Sequence, residues 1–333
     1  MKKFLLNTFE FIFDGSFLRA FTKICPLPLI PFYHTVSDQE IPHTKYLCKL
    51  KNWNEFRSEV SFFTKYFKSA SSMEELIFQK NSFMLTFDDG LSECYSISRY
   101  LKQNDLKAIF FICPNFIDNK EMMYRHKASL LLDVFHNLDN KKQLNIKKTC
   151  NSFDICNDID FQRTILSVTY KQKSVLDQVA EIMGVSFNDY LENKKPYLTS
   201  VQINEMIDDG FYFGAHSLDH PYFKILNENE RKLQILDSLK YIEKFNISYK
   251  YFAFPFSFDD SLISQNLLEE MSGKLVNYTF STEAFSKKNT STHFQRFTTE
   301  NINLPLKIYF QRLYLNYYLK QKLGYKSKNE KSM

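Results

Sequence analysis

Phe83-Met84-Leu85-Thr86-Phe87-Asp88-Asp89-Gly90 is an apolar run that stops on two adjacent carboxylates. A buried strand ending on two acids puts charge at the edge of a core, where desolvation is costly. A cation that offsets the cost is the first expectation. Adjacent residues of an extended strand point to opposite faces, so both acids can face one ion only where the strand turns into a loop. Gly90 permits such a turn. Downstream, residues 92–103 read as a helix and Ala108-Ile109-Phe110-Phe111-Ile112-Cys113 as another strand. Strand, loop, helix, strand is the unit of a parallel sheet, which sets the fold class as α/β.

Working outward, Leu29-Ile30-Pro31-Phe32-Tyr33-His34 reads as an earlier strand, and Asn52 caps a helix over residues 53–67. Ser72-Met73-Glu74-Glu75 has the capping-box pattern. Beyond residue 120 the periodicity becomes helical, and residues 121–196 read as a helical insertion between core strands. The core resumes with a helix start at Thr199-Ser200-Val201-Gln202 and a stop at Gly210. Then come the strand Phe211-Tyr212-Phe213-Gly214-Ala215, a helix over residues 227–244, and the strand Tyr251-Phe252-Ala253-Phe254 ending at Pro255. A terminal helix is expected over residues 304–319, followed by a disordered lysine-rich tail.

In parallel α/β folds, functional groups gather at the carboxyl ends of the strands. Here those ends carry His34, Asp88-Asp89, His216 and Pro255. His216-Ser217-Leu218-Asp219-His220-Pro221 spaces two imidazoles i, i+4, on one side of a helical turn. Two His and one carboxylate make a facial metal site with positions left open, the mark of a catalytic ion. Such an ion would bring the pKa of its water toward about 7 and polarise a carbonyl. One acid would hold the ion while its neighbour takes the proton from water.

Composition narrows the alternatives. Among 333 residues, 44% are hydrophobic and 17% aromatic, enough for a sizeable core. Seven glycines and no G-x-G-x-x-G pattern argue against a phosphate-cradling loop. A net charge of +5 from dispersed lysines gives no basic stripe, so a nucleic-acid partner is not expected. The six cysteines form no Cys-x-x-Cys pair and read as reduced core thiols, with Cys150 and Cys156 able to bridge only in an oxidising compartment. The N-terminus begins like a signal peptide, but Glu10 and Asp14 interrupt it. A cytoplasmic protein is the expectation. Phe4, Leu5, Phe9, Phe11, Ile12 and Phe17 supply an apolar helix face for docking on the domain, or alternatively for a membrane surface. Nothing in the sequence sets the oligomeric state.

The two motifs together resemble the polysaccharide deacetylases, carbohydrate esterase family four. Phe32-Tyr33-His34-Thr35-Val36-Ser37-Asp38 is similar to the first strand of many members, and Lys107-Ala108-Ile109-Phe110-Phe111-Ile112 to their post-helix strand. The resemblance implies a distorted (β/α) barrel, usually with fewer than eight regular strands. It spans residues 29–120 and 197–303, with the 121–196 insertion between, an N-terminal helical extension at 1–28, and a C-terminal helix and basic tail at 304–333. It implies Asp88 as general base and Asp89, His216 and His220 as ligands of one divalent ion, zinc being expected. It implies removal of acetyl groups, N-acetyl before O-acetyl, from a glycan or glycan precursor.

This chain departs from the family at two points. The segment Tyr251-Phe252-Ala253-Phe254-Pro255-Phe256 lacks the Arg that usually orients the base. The late general-acid His is also not visible, since the setting of His293, Thr292-His293-Phe294-Gln295-Arg296, does not match. His34, Arg125 and His126 are the candidates for its place, weighed against a hydrogen-bonded His34 and a surface Arg125-His126. Tyr222, Pro255 and Phe256 are candidate substrate contacts. The rival readings are a glycan-binding protein that lost catalysis and a hydrolase of another amide bond.

Overall fold

The computed structural model describes residues 28–152, 160–256, 271, 275–282, 292–300, 302 and 304–313. The expected N-terminal helix, the basic tail, Cys25 and Cys156 lie outside the described residues. The chain divides into two compact units.

The larger unit spans residues 30–53 and 85–300. Its strands are β1 Pro31–Tyr33, β2 Leu85–Phe87, β3 Ala108–Ile112, β4 Tyr212–Ala215, β5 Tyr251–Ala253, β6 Tyr278–Ser281, β7 His293–Gln295 and β8 Phe297–Thr298. They form one parallel sheet in the order β8-β1-β2-β3-β4-β5-β6-β7. The two edge strands are consecutive in the chain, separated by Arg296 alone. The Arg296 N–H donates to the Ser281 carbonyl (2.7 Å), and the next N–H, of Phe297, donates to Ile30 (3.2 Å). One extended stretch thus pairs with β6 through its first half and with β1 through its second, so the sheet is a nearly closed, distorted (β/α) barrel with Arg296 at the seam.

The aromatic content of the sequence is spent on this sheet. Tyr33, Phe87, Phe110 and Phe213 are register partners on four neighbouring strands. Their rings stack at centroid distances of 5.6, 5.0 and 5.5 Å. All four are almost fully buried, and each contributes about 1.5–3 kcal/mol of burial. Gly214 on β4 is required by space: a Cβ there would lie 2.6 Å from the Phe111 ring and 2.9 Å from the Tyr251 carbonyl oxygen.

Helix α1 (Cys94–Gln103) links β2 to β3. Between β3 and β4 run α2 (Tyr124–His136), α3 (Asn140–Ser152), α4 (Phe161–Ser167), α5 (Ser174–Met183) and α6 (Phe187–Lys194). They pack around Leu131, Phe135, Phe161, Ile165, Leu176 and Val179, a core that runs on to Leu91, Cys113 and Phe116 after the barrel strands. Helices α7 (Ser200–Asp208) and α8 (Glu228–Ile242) both open on capping boxes, Thr199 with Gln202 and Asn227 with Glu230.

The smaller unit holds residues 1–29, 54–84 and 301–333. In it the helices Trp53–Tyr66 and Met73–Phe78 accompany a two-stranded parallel pair, Lys68–Ser69 with Ser82–Phe83. The expected single strand over residues 83–87 is therefore two, broken at Met84. Among the described residues no helix is long and apolar enough to cross a membrane.

Candidate metal centre

Strand β2 delivers its two acids at a bend. Asp89 has φ 71° and Gly90 φ 68°, so the turn expected of Gly90 is shared by Asp89 itself, a left-handed conformation that costs energy at a non-glycine residue. His216 follows β4 directly, but the segment to His220 is a loop rather than the expected helical turn. Ser217 (φ 62°) and His220 (φ 57°) are both left-handed. The loop is braced from several sides. Ser217 Oγ accepts the His220 N–H (3.0 Å). Gln234 on α8 accepts the Leu218 N–H (3.0 Å) and donates to Asp219 Oδ1 (2.6 Å). Tyr170 donates its hydroxyl to Asp219 Oδ2 (2.6 Å).

The result is a tight trio. Asp89 Oδ1 lies 3.3 Å from His220 Nε2 and 3.7 Å from His216 Nε2, and all three residues are buried. His216 Nδ1 donates to the Ala253 carbonyl (2.8 Å). A carbonyl only accepts, so the proton sits on Nδ1 and the Nε2 lone pair faces the acid, the usual way an imidazole ligand is aimed. Burial pulls His216 down to about 4 and His220 to about 3, so both imidazoles are neutral at ordinary pH and could ligate an ion. Burial pushes the Asp89 carboxyl up, and its Oδ1 has no hydrogen-bond donor. An orphaned carboxylate oxygen facing two neutral imidazole nitrogens fits a borderline divalent cation such as zinc.

Asp88 is held differently. Arg296 Nη1 and Nη2 donate to its Oδ1 and Oδ2 at 2.6 and 2.9 Å, and Nη1 also reaches Thr86 Oγ1 (3.2 Å). Arg296 is fully buried, its guanidinium carbon 5.0 Å from the ring centroids of both Phe32 and Phe111. Burial alone would raise Asp88, but the Arg296 guanidinium outweighs it and the net shift is downward. Asp88 therefore stays ionised and fixed in plane beside the trio.

Across the cavity His34 receives both oxygens of Glu300. The His34 backbone N–H donates to Oε1 (2.8 Å), and Nδ1 donates to Oε2 (2.7 Å). Burial pulls the imidazole down, yet Glu300 and the neighbouring Cys48 more than reverse it, so His34 titrates well above its usual range. Its side chain is 28% exposed, while that of Glu300 is 1% exposed.

One cavity of about 310 Å³ is lined by His34, Cys48, Asp88, Asp89, Arg125, His216, His220 and Phe256, among others. A second, of about 530 Å³, shares Arg125 and Phe256 with it and adds Tyr124, Tyr170 and Tyr222. Of the residues expected from sequence, Pro255 is buried and lines neither; it serves the turn into Phe256 (φ 58°). Arg125 and His126 are not a surface pair. His126 is 1% exposed, accepts the Tyr197 hydroxyl (2.8 Å), and burial holds it well below its usual range, which removes it as an acid. His293 is bonded to Thr279 and Ser281 on the next strand. Arg296 and Glu300 were not found from sequence; the available signal was two charged residues closely following the apolar Phe294.

The polysaccharide deacetylase family model matches residues 162–272. No curated protein matches the chain. Among solved structures, a Streptococcus pyogenes deacetylase, PplD, in complex with acetate aligns with TM-score 0.54 and 16% identity, over 86% of this chain and 98% of that one. IcaB from Ammonifex degensii aligns with TM-score 0.51 and 13% identity, over 85% and 96%. A de-N-acetylase from Aggregatibacter actinomycetemcomitans aligns with TM-score 0.50 and 13% identity, over 85% and 98%.

Proposed function

We propose that this chain, a member of the polysaccharide deacetylase family, is a metal-dependent hydrolase of N-acetyl groups on a glycan or glycan precursor. The observation that carries the reading is the division of labour between adjacent acids. Asp89 has an unpartnered oxygen facing two neutral imidazoles, while Asp88 is tied to a buried arginine. Asp89, His216 and His220 would hold the ion, which supplies Lewis acidity for the acetyl carbonyl and for an attacking water.

The chain's own residues do the rest. Asp88 accepts the proton that water loses as it adds to the carbonyl carbon. Arg296 keeps Asp88 ionised and fixes both of its oxygens, so the base is aimed before substrate arrives. His34, held protonated by Glu300, donates the proton that the departing amine needs as the C–N bond breaks. Atoms balance as amide plus water giving acetate plus amine. Phe256 and Tyr222, in T-shaped contact at 5.4 Å, offer aromatic faces to a sugar ring.

The test is acetate release from a panel of N- and O-acetylated saccharides by metal-replete protein, alongside Asp88→Asn. Release that Asp88→Asn abolishes supports the reading; release that survives it removes Asp88 from the mechanism.

A further inference from the structure

We propose that Arg125 recognises an anionic group and that the saccharide deacetylated here is acidic, carrying a carboxylate or a phosphate. The inference rests on the deacetylase reading and names its substrate class. Arg125 is the second residue of α2 and lines the wall common to both cavities. Among the described residues its guanidinium makes a single hydrogen bond, from Nη1 to the Leu166 carbonyl at 3.3 Å. Among the described residues no carboxylate pairs with it.

Other cations of the larger unit are treated otherwise. Arg296 is matched to Asp88, Lys173 lies 3.5 Å from Asp219, and Arg99 is bound to Asp209 and Glu205. A half-buried guanidinium with five donors and one weak backbone acceptor leaves most of its forked donor set facing the cavities. That fork matches a carboxylate or phosphate bidentately.

Charge balance points the same way. Asp88 cancels Arg296, and Glu300 cancels a protonated His34. A divalent ion on Asp89 leaves one positive charge, to which Arg125 adds another. The ion's charge serves the acetyl carbonyl, so the charge of Arg125 is the one left to attract an anionic substituent. Tyr124, Tyr170 and Tyr222 line the second cavity next to Arg125, so a ring placed on them would bring its acidic substituent to the guanidinium.

The experiment measures binding, so that it does not depend on turnover. Zinc-loaded Asp88→Asn protein is titrated calorimetrically with N-acetylglucosamine, N-acetylglucosaminuronic acid and N-acetylglucosamine 6-phosphate. At least about tenfold tighter binding of one or both acidic sugars is expected. The stronger of the two assigns carboxylate or phosphate. Adding Arg125→Gln, with folding checked by circular dichroism, brings the acidic-to-neutral ratio toward one; Arg125→Lys leaves it intermediate. Equal binding of all three sugars, binding of none, or a preference that survives Arg125→Gln overturns the inference. Acetate release by wild-type protein without acidic preference also overturns it and leaves the deacetylase reading standing. Intact acidic preference without acetate release from any saccharide overturns that reading alone.

Discussion

Arg296 grips both oxygens of Asp88, at 2.6 and 2.9 Å, from the residue where the barrel's two edge strands meet. The orienting arginine absent from the segment ending at Phe256 is thus supplied by the barrel seam. Removing it leaves a buried, unpaired carboxylate, which costs about 3–5 kcal/mol. Arg296→Met is expected to melt markedly lower and to lose about a hundredfold or more in kcat. Arg296→Lys, which keeps the charge and loses the fork, should recover stability more than turnover. Paired thermal melts and kinetics check this; full activity in either variant contradicts it.

The His34–Glu300 pair makes a pH prediction. Glu300 stabilises the charged imidazole, so the folded pKa lies above the ordinary value near 6.5. The stability gained is fully present below that ordinary value and is lost as pH rises through the raised one. With the His34 side chain 28% exposed, solvent screens the gain. In its proposed role as proton donor, His34 would set the alkaline limb of the activity profile. Glu300→Gln removes the opposing charge and should move that limb to lower pH. An unmoved limb assigns the donor elsewhere.

Asp89 carries a cost that a bound ion would offset. With chelator present, Asp89→Asn should melt higher than wild type, because burial disfavours the ionised carboxyl. With zinc in excess the order should reverse: at a free concentration of 100 times Kd, binding adds about 2.7 kcal/mol to wild type alone. Differential scanning calorimetry in both conditions reads the crossing of the two curves.

Tyr170, between α4 and α5, bonds Asp219, which lies in the loop between His216 and His220, and so bears on the proposed ion site. Tyr170→Phe removes that bond and loosens Asp219, leaving the loop braced by Gln234 and Ser217. Zinc affinity is expected to fall about tenfold, with little change in global melting, since Asp219 keeps its bond to Gln234. A competition titration against a chromophoric chelator measures it.

What the sequence made legible was local. Asp88-Asp89 and His216 to His220 announce themselves because strand ends and ligand spacing are short-range patterns. The helices opening at Thr199 and Asn227 show their caps in the same way. The i, i+4 spacing of His216 and His220 reads as a helical turn because it does not reveal the left-handed residues Ser217 and His220 that make the segment a loop. The partners of the base and the acid were hidden for a different reason. Arg296 is 208 residues from Asp88, and Glu300 is 266 from His34. Only closure of the barrel brings them together, and no periodicity records which strand seals the ring.

The central claim is that adjacent acids do different work, and metal content measured with acetate release tests it most directly. Wild-type protein should hold about one divalent ion per chain and release acetate. Asp88→Asn should keep the ion and lose turnover, and Asp89→Ala should lose the ion. An ion retained by Asp89→Ala, or no ion bound by metal-replete wild type, contradicts the account.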